Sequence, residues 1–351
     1  MKFQLGQDLI DILRGKKKIV FIDRKRYRKN DKTKKFFNAC GFIMDGGISF
    51  QPNNILSCCN SRIVENLSVG NINDMSIDKL KKMIVRKESL IISDFKNGKV
   101  PFGCIQCRRI KRYSRDDMTC KDIKYITLRT FTKCNLKCIF CSIIKKYESG
   151  NFTDTDMSLV IATIKAMHVN GMLSKDFFTA IDGGEPSLYE NDLSDIVNFI
   201  ISIGGTVRII SNGAKFIETV AKAVKNGKCR ILFSVDAGSR EVYKKIKGAD
   251  YFDATWENVK KYIDYVGDVA DDRIRVKFIL QPENVNDIEN MVNMCVKYGV
   301  KNPCLDIESS IRDYNLYKEP VMKFNELCKN NKIKVAKWYL FPTELKKIKQ
   351  G

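Results

Sequence analysis

From residue 123 onward, short apolar β-branched runs alternate with stretches whose apolar residues recur at helical spacing. The runs 123–130, 177–182, 206–211, 230–235, 274–280 and 301–307 read as strands. The segments 155–170, 189–203, 214–227, 239–265, 285–298 and 312–330 read as helices, and 239–265 is long enough to be broken. A strand followed by a helix, six times over, predicts βα units on a parallel sheet. The expected fold class is α/β: a partial (β/α)6 TIM barrel over 123–330. Residues 1–122 lack the alternation and read as a small cysteine-rich domain. The tail 331–351 is expected to add an edge strand or pack beneath the barrel. In such barrels chemistry collects at the C-terminal ends of the strands.

Composition narrows the setting. The chain has 351 residues, 44% of them hydrophobic, enough for a packed core. No apolar leader precedes Lys16, and no window approaches 18 uninterrupted apolar residues, so neither secretion nor membrane crossing is expected. The 13 cysteines are then expected to be metal ligands and core residues in a reducing cytoplasm. Net charge is +21, and 16–35 concentrates Lys and Arg (Lys16, Lys17, Lys18, Arg24, Lys25, Arg26 and others) against Asp23 and Asp31. That stretch suits an anionic partner: RNA, a phosphorylated or nucleotide-linked substrate, or an acidic carrier protein. It also suits the plain solvated face of a Lys-rich chain. RNA is disfavoured, because Phe21, Tyr27, Phe36 and Phe37 are too few and uneven to supply stacking. His168 is the only histidine, which excludes His-based triads and His-rich metal sites; it reads as a mid-helix structural residue.

The most informative run is Cys134-Asn-Leu-Lys-Cys138-Ile-Phe-Cys141, directly after the first βα strand. Thiolates four and three residues apart can converge on three irons of a cubane cluster. The fourth iron keeps an open position, as catalytic metal sites do. With 13 cysteines in 351 residues, chance produces both offsets about 0.02 times. A zinc knuckle or three buried thiols are the rival readings of the spacing alone.

The run resembles the CxxxCxxC signature of radical S-adenosylmethionine (radical SAM) enzymes, including an aromatic residue, Phe140, before the last cysteine. The resemblance implies a [4Fe–4S] cluster on Cys134, Cys138 and Cys141, with SAM on the open iron. It also implies an oxidoreductase fed by a reductant such as flavodoxin or ferredoxin. Gly183-Gly184-Glu185-Pro186, after the second strand, resembles the family's GGEP motif. Glycines admit close backbone approach, and strand-edge carbonyls with Glu185 would accept from the SAM ammonium. Ser211-Asn212-Gly213 and Ser234-Val-Asp236 resemble the family's TNG-type turn and SxDG stretch, implying contacts to the SAM ribose and carboxylate. Both are also strong turn formers. Gln281, Glu283, Asp306 and Glu308, at the ends of the last two strands, are candidate substrate-facing residues; Glu283, Asp306 and Glu308 are the candidate catalytic carboxylates. Cys229, Cys295, Cys304 and Cys328 read as small core hydrophobes.

The N-terminal cysteines resemble a SPASM/twitch auxiliary-cluster module placed ahead of the barrel rather than after it. The resemblance rests on Cys40-Gly-Phe, Cys58-Cys59, Gly70-Asn-Ile and Gly98-Lys-Val-Pro-Phe-Gly-Cys104-Ile-Gln-Cys107. It implies a second [4Fe–4S] cluster on Cys40, Cys58, Cys104 and Cys107, with Cys59 or Cys120 as substitutes. A zinc site with four cysteine ligands has the same ligand count. The expected substrate is small, sugar- or nucleotide-linked, or carrier-delivered. A peptide or protein maturase, an RNA-modifying enzyme and a non-enzymatic iron–sulfur or zinc protein are the alternatives.

Overall fold

A computed structural model of the chain describes residues 36–52, 54–56, 68–74, 76–97, 110–114, 116, 122–141, 143, 154–308 and 315–336. The chain divides into two compact units, residues 1–125 with 166–174, and residues 126–165 with 175–351.

In the first unit the described elements are β1 (Phe36–Cys40), β2 (Gly47–Gln51), β3 (Asn54–Leu56), β4 (Ser68–Gly70), α1 (Ile77–Lys96) and β5 (Ile110–Ser114). β2, β3 and β4 run antiparallel in that order, and β1 pairs antiparallel with β5. The Ser76 side chain caps α1 by accepting the Lys79 N–H at 3.3 Å, and Lys96 lies in the last turn. Leu80, Ile84, Ile91 and Phe95 recur at helical spacing and are buried. The last two pack on Phe37, Ala39, Cys40, Phe42, Ile43 and Met44. Cys40 thus ends β1 inside an apolar cluster.

The second unit carries the six βα repeats. Its strands, counting those shared at its edges, are β6 (Ile123–Phe131), β7 (Leu173–Gly183), β8 (Thr206–Ser211), β9 (Cys229–Ser234), β10 (Ile274–Leu280) and β11 (Cys304–Ile307). They lie in sequence order across the sheet, and the pairs from β7 to β11 are parallel. That is the connectivity of a partial (β/α) barrel. The helices are α2 (Met157–Val169), α3 (Glu190–Ser202), α4 (Glu218–Lys225), α5 (Arg240–Lys247), α6 (Phe252–Val266), α7 (Ile288–Lys297) and α8 (Lys318–Asn330). Alternation in β8 and β10 buries Val207, Ile209, Val276, Phe278 and Leu280 on one face, leaving Arg208, Ile210, Arg275, Lys277 and Ile279 half-buried on the other.

The structure shifts several expected boundaries for local reasons. The 239–265 stretch breaks at Gly248, whose φ of +68° suits glycine and ends α5. α4 starts at 218 rather than 214, because Asn212 Oδ1 accepts the Ala214 N–H at 2.9 Å and holds an Asn-Gly turn open. β11 starts at 304 rather than 301, after Pro303, which has no N–H for a ladder. α8 begins at 318, behind a short turn over Asn315–Tyr317. His168 sits exposed in the last turn of α2, not mid-helix. Cys229, Cys295, Cys304 and Cys328 are all buried, as expected of core residues. The tail as far as 336 bonds back to the segment ahead of β11, Ala336 N–H to Pro303 O at 2.8 Å. Ala336 packs on Leu232, Cys304 and Ile210.

Candidate active site

The three cysteines leave the end of β6 on an irregular loop, and all three are half-buried. The loop is held from three directions. Lys137 N–H and Ile139 N–H donate to Lys247 O (2.8 Å) and Ile246 O (3.0 Å), the last carbonyls of α5. These carbonyls have no acceptor role inside the helix, so the loop amides satisfy them. Asn212 Nδ2 donates to Asn135 Oδ1 at 2.8 Å and stands 3.9 Å from Cys134 Sγ. Ahead of Cys134, Asp154 accepts from the Thr132 amide and hydroxyl and from the Tyr189 hydroxyl, and Lys133 Nζ lies 3.5 Å from it. Tyr189 in turn accepts the Lys133 N–H at 2.9 Å.

Gly183 and Gly184 run alongside the exit of β6. Gly184 N–H donates to Phe131 O and Glu185 N–H to Lys133 O, at 2.9 and 2.8 Å. A Cβ on Gly184 would fall 2.2 Å from the Lys133 carbonyl oxygen, and Gly183 has φ +131°, so both positions require glycine. Glu185 is 1% exposed. Its carboxylate accepts the Asn212 N–H (2.6 Å), the Ser211 hydroxyl (2.7 Å) and the Ser187 N–H (3.0 Å). Burial pushes its pKa up, and these donors only partly oppose that. The partners of Glu185 among the described residues are internal, and it joins the turns after β7 and β8.

Asp236 is likewise bonded internally. It is fully buried, with the uncommon φ of +64° for a non-glycine residue. It accepts the Ile279 N–H (2.8 Å), the Ser234 hydroxyl (3.1 Å) and the Lys247 ammonium (2.5 Å). Ser234 remains half-buried at the end of β9. Lys247 was not singled out in the sequence, where it is one of several lysines in Lys244-Lys-Ile-Lys-Gly. It is 2% exposed, donates to Ser234 O at 2.7 Å, and places Nζ 5.7 Å from the Phe140 ring centroid. Burial, the largest single influence, works against its charge, but its negative neighbours, Asp236 first and then Cys138, together outweigh burial and raise its pKa. Asn135, Asp154 and Tyr189 were missed for the same reason: nothing local marks a residue whose partner lies far along the chain.

Burial pushes the Cys134 thiol up and the Cys138 thiol up to about 11; the Lys247 charge pulls Cys138 the other way. Among the described residues no three thiol, imidazole or carboxylate groups converge tightly enough for a single metal ion. A cubane asks for something else: each thiolate takes its own iron. Three half-buried thiols on one loop, with an asparagine amide against the first, fit that donor set.

Of the remaining candidates, Gln281 is buried rather than rim-exposed, and its Nε2 has no partner. Asp306 is half-buried beside Ile279 on β10, and its Oδ1 accepts the Ile307 N–H. Burial first, and then the charges of Glu283 and Glu308, raise the pKa of Tyr317. Cys58, Cys59, Cys104, Cys107 and Cys120 lie outside the described residues.

Residues 128–295 match the family model of the radical SAM superfamily. The match is confined to this part of the chain, and with the relatives below it indicates an iron–sulfur enzyme. The chain is 31% identical over 170 residues to "Probable GTP 3',8-cyclase" of Saccharolobus islandicus, covering 48% of this chain and 51% of the relative. It is 26% identical over 189 residues to the protein of the same name from Methanococcus aeolicus, covering 52% and 59%. The chain thus spans about half the length of the curated relatives it matches. The crystal structure of Streptococcus suis SuiB superposes with a TM-score of 0.49 at 11% identity, over 75% of this chain and 55% of that one. No described helix is long and apolar enough to cross a membrane.

Proposed function

We propose that the chain is a radical SAM oxidoreductase that abstracts hydrogen from a small anionic substrate, sugar- or nucleotide-linked. The observation that carries this reading is the loop geometry. Cys134, Cys138 and Cys141 project from the C-terminal end of the first βα strand, fastened by the Gly184–Glu185 backbone, Asn212 and the end of α5. These three cysteines would hold a [4Fe–4S] cluster. When bound, the cluster supplies an electron and SAM the carbon-centred radical for hydrogen abstraction.

The chain's own residues supply placement. Glu185 fixes Ser211 and Asn212, so the turns after β7 and β8 present a set surface to SAM. Gly183 and Gly184 let the turn after β7 pack directly on the backbone that leads into Cys134, and Ser234 would serve a hydroxyl or carboxylate. Phe140 stands over the buried Lys247 end of the site.

The half-buried face of the sheet supports this substrate class. Arg275 and Lys277 alternate with Val276 and Phe278, so both lie on the face opposite the helix-packed one. Among the described residues neither has a carboxylate within ion-pair distance. Arg208, on the same face, stacks on Phe178 and has a buried Nε without a partner. Unpaired buried donors are unfavourable unless a ligand supplies an acceptor. An anionic group such as a phosphate does so. The nucleotide in the name of the curated relatives supports the same class.

An auxiliary [4Fe–4S] site on Cys40, Cys58, Cys104 and Cys107 belongs to this proposal. The β1–β5 pairing supports it: Cys40 lies opposite Ile110, three residues after Cys107.

The test is anaerobic reconstitution with iron and sulfide, followed by SAM and dithionite. Release of 5′-deoxyadenosine, with deuterium transfer from a labelled phosphorylated sugar or nucleotide, is expected. A protein that takes up zinc but no iron would overturn the reading.

A further inference from the structure

We propose that Lys247 is a positioning residue that sets the placement and the reduction potential of the cluster at Cys134, Cys138 and Cys141. The proposal rests on the reading of those cysteines as cluster ligands.

Lys247 touches the cysteine loop twice. Its carbonyl accepts the Lys137 N–H, and its ammonium lies under the Phe140 ring. The helix ends there on Gly248, where a Cβ would come within 2.9 Å of the Lys137 carbonyl oxygen, so the loop and helix end are in close contact. The side chain then reaches Ser234 O and Asp236, at the end of β9. One residue therefore ties the loop between the first and last cysteines to the end of a barrel strand.

Packing alone does not explain an ammonium at 2% exposure. A buried ion pair is seldom better for stability than apolar residues of similar volume. Its charge, however, is well placed. Its Nζ stands 5.7 Å from the centroid of Phe140, which lies between Cys138 and Cys141, while the Asp236 carboxylate also bonds Ser234 and the Ile279 N–H at the ends of β9 and β10. When a one-electron donor such as dithionite reduces a bound cluster, one electron arrives, no bond to a ligand breaks, and the site becomes one charge more negative. A fixed ammonium beside it favours the reduced form and raises the potential.

The experiment is an EPR-monitored redox titration of the anaerobically reconstituted full chain. Lys247→Met should shift the midpoint to more negative potential and lower the iron retained. Lys247→Arg, which keeps the charge, should stay near the wild type. Lys247→Met leaves Asp236 buried and unpaired, so Lys247→Met/Asp236→Asn is measured beside it. The double variant should also shift negative, because the ammonium lies against the cysteine loop whereas Asp236 is also tied to the ends of β9 and β10. Unchanged potentials in the folded Met variants, or Arg shifting as far as Met, would overturn the proposal. A wild type that binds no iron would instead overturn the cluster reading. A wild-type cluster whose potential ignores Lys247 would overturn only this inference.

Discussion

The Glu185 carboxylate accepts the Asn212 backbone N–H at 2.6 Å, joining the turn after β7 to the turn after β8 in a site 1% exposed at Glu185. Glu185→Gln keeps the shape but gives one carboxylate position a donor. An N–H of Asn212, Ser187 or the Ser211 hydroxyl then loses its acceptor. An unsatisfied buried donor costs about 1–3 kcal/mol. A fall in thermal midpoint is expected, with SAM affinity weakened about 10-fold or more because Asn212 is no longer held. Calorimetric SAM titration checks this, and unchanged affinity would show that Glu185 has no influence on the SAM site.

Burial raises the Glu185 pKa above the ordinary 4.5. A group with a raised folded pKa stabilises fully below its unfolded pKa, and that stability is lost as pH rises through the folded value. The wild type should therefore lose this contribution as pH rises above about 4.5. Glu185→Gln, which does not titrate, should lack that part of the slope. Denaturant unfolding of both proteins across that window reads the difference.

Asp154 shows the opposite sign. Burial works to raise its pKa, but hydrogen bonds from Thr132 and Tyr189 and the Lys133 charge outweigh it and hold it below 3.8. Its contribution is present above the ordinary value and is lost as pH falls through the depressed one. Asp154→Ala releases Thr132 and Tyr189 together, so the segment leading into Cys134 should loosen. Iron retained after reconstitution at neutral pH should fall. Equal iron content in the variant would remove Asp154 from the support of the loop.

Substituting Cys134, Cys138 and Cys141 together by alanine should abolish 5′-deoxyadenosine formation. If Cys40, Cys58, Cys104 and Cys107 hold a second cluster, about four irons per chain and a brown absorption near ~400 nm should remain. One zinc and no iron in that variant would establish a zinc site on the same four cysteines instead. Persistent SAM cleavage would mean that the three cysteines are not the ligands.

Arg275→Gln and Lys277→Gln test the anionic-substrate reading. Each removes one charge-assisted contact to a phosphate, a loss of about 1.5–3 kcal/mol, or roughly 10- to 150-fold in substrate affinity. Pyrophosphate protection against thermal unfolding is a first measure. Protection that survives both substitutions but vanishes when Lys16, Lys17 and Lys18 are neutralised would place the anion on the basic leader.

The sequence by itself determined the elements that depend on near neighbours. The alternation of β-branched runs and helical periods marks each βα unit, because side-chain periods of 2 and 3.6 are local properties. The Asn212-Gly213 turn and the cysteine spacing belong to the same class, as does a break within 239–265, though its place at Gly248 came from the structure. Only the tertiary structure decided which partner each polar group takes. Glu185 meets Ser211 across 26 residues, Asn212 meets Asn135 across 77, and Arg129 pairs with Asp182 across 53. Lys247, one lysine among several in sequence, is made singular by the buried carboxylate of Asp236. A buried charge must find its counter-charge wherever the chain brings one, and no local pattern records where that is.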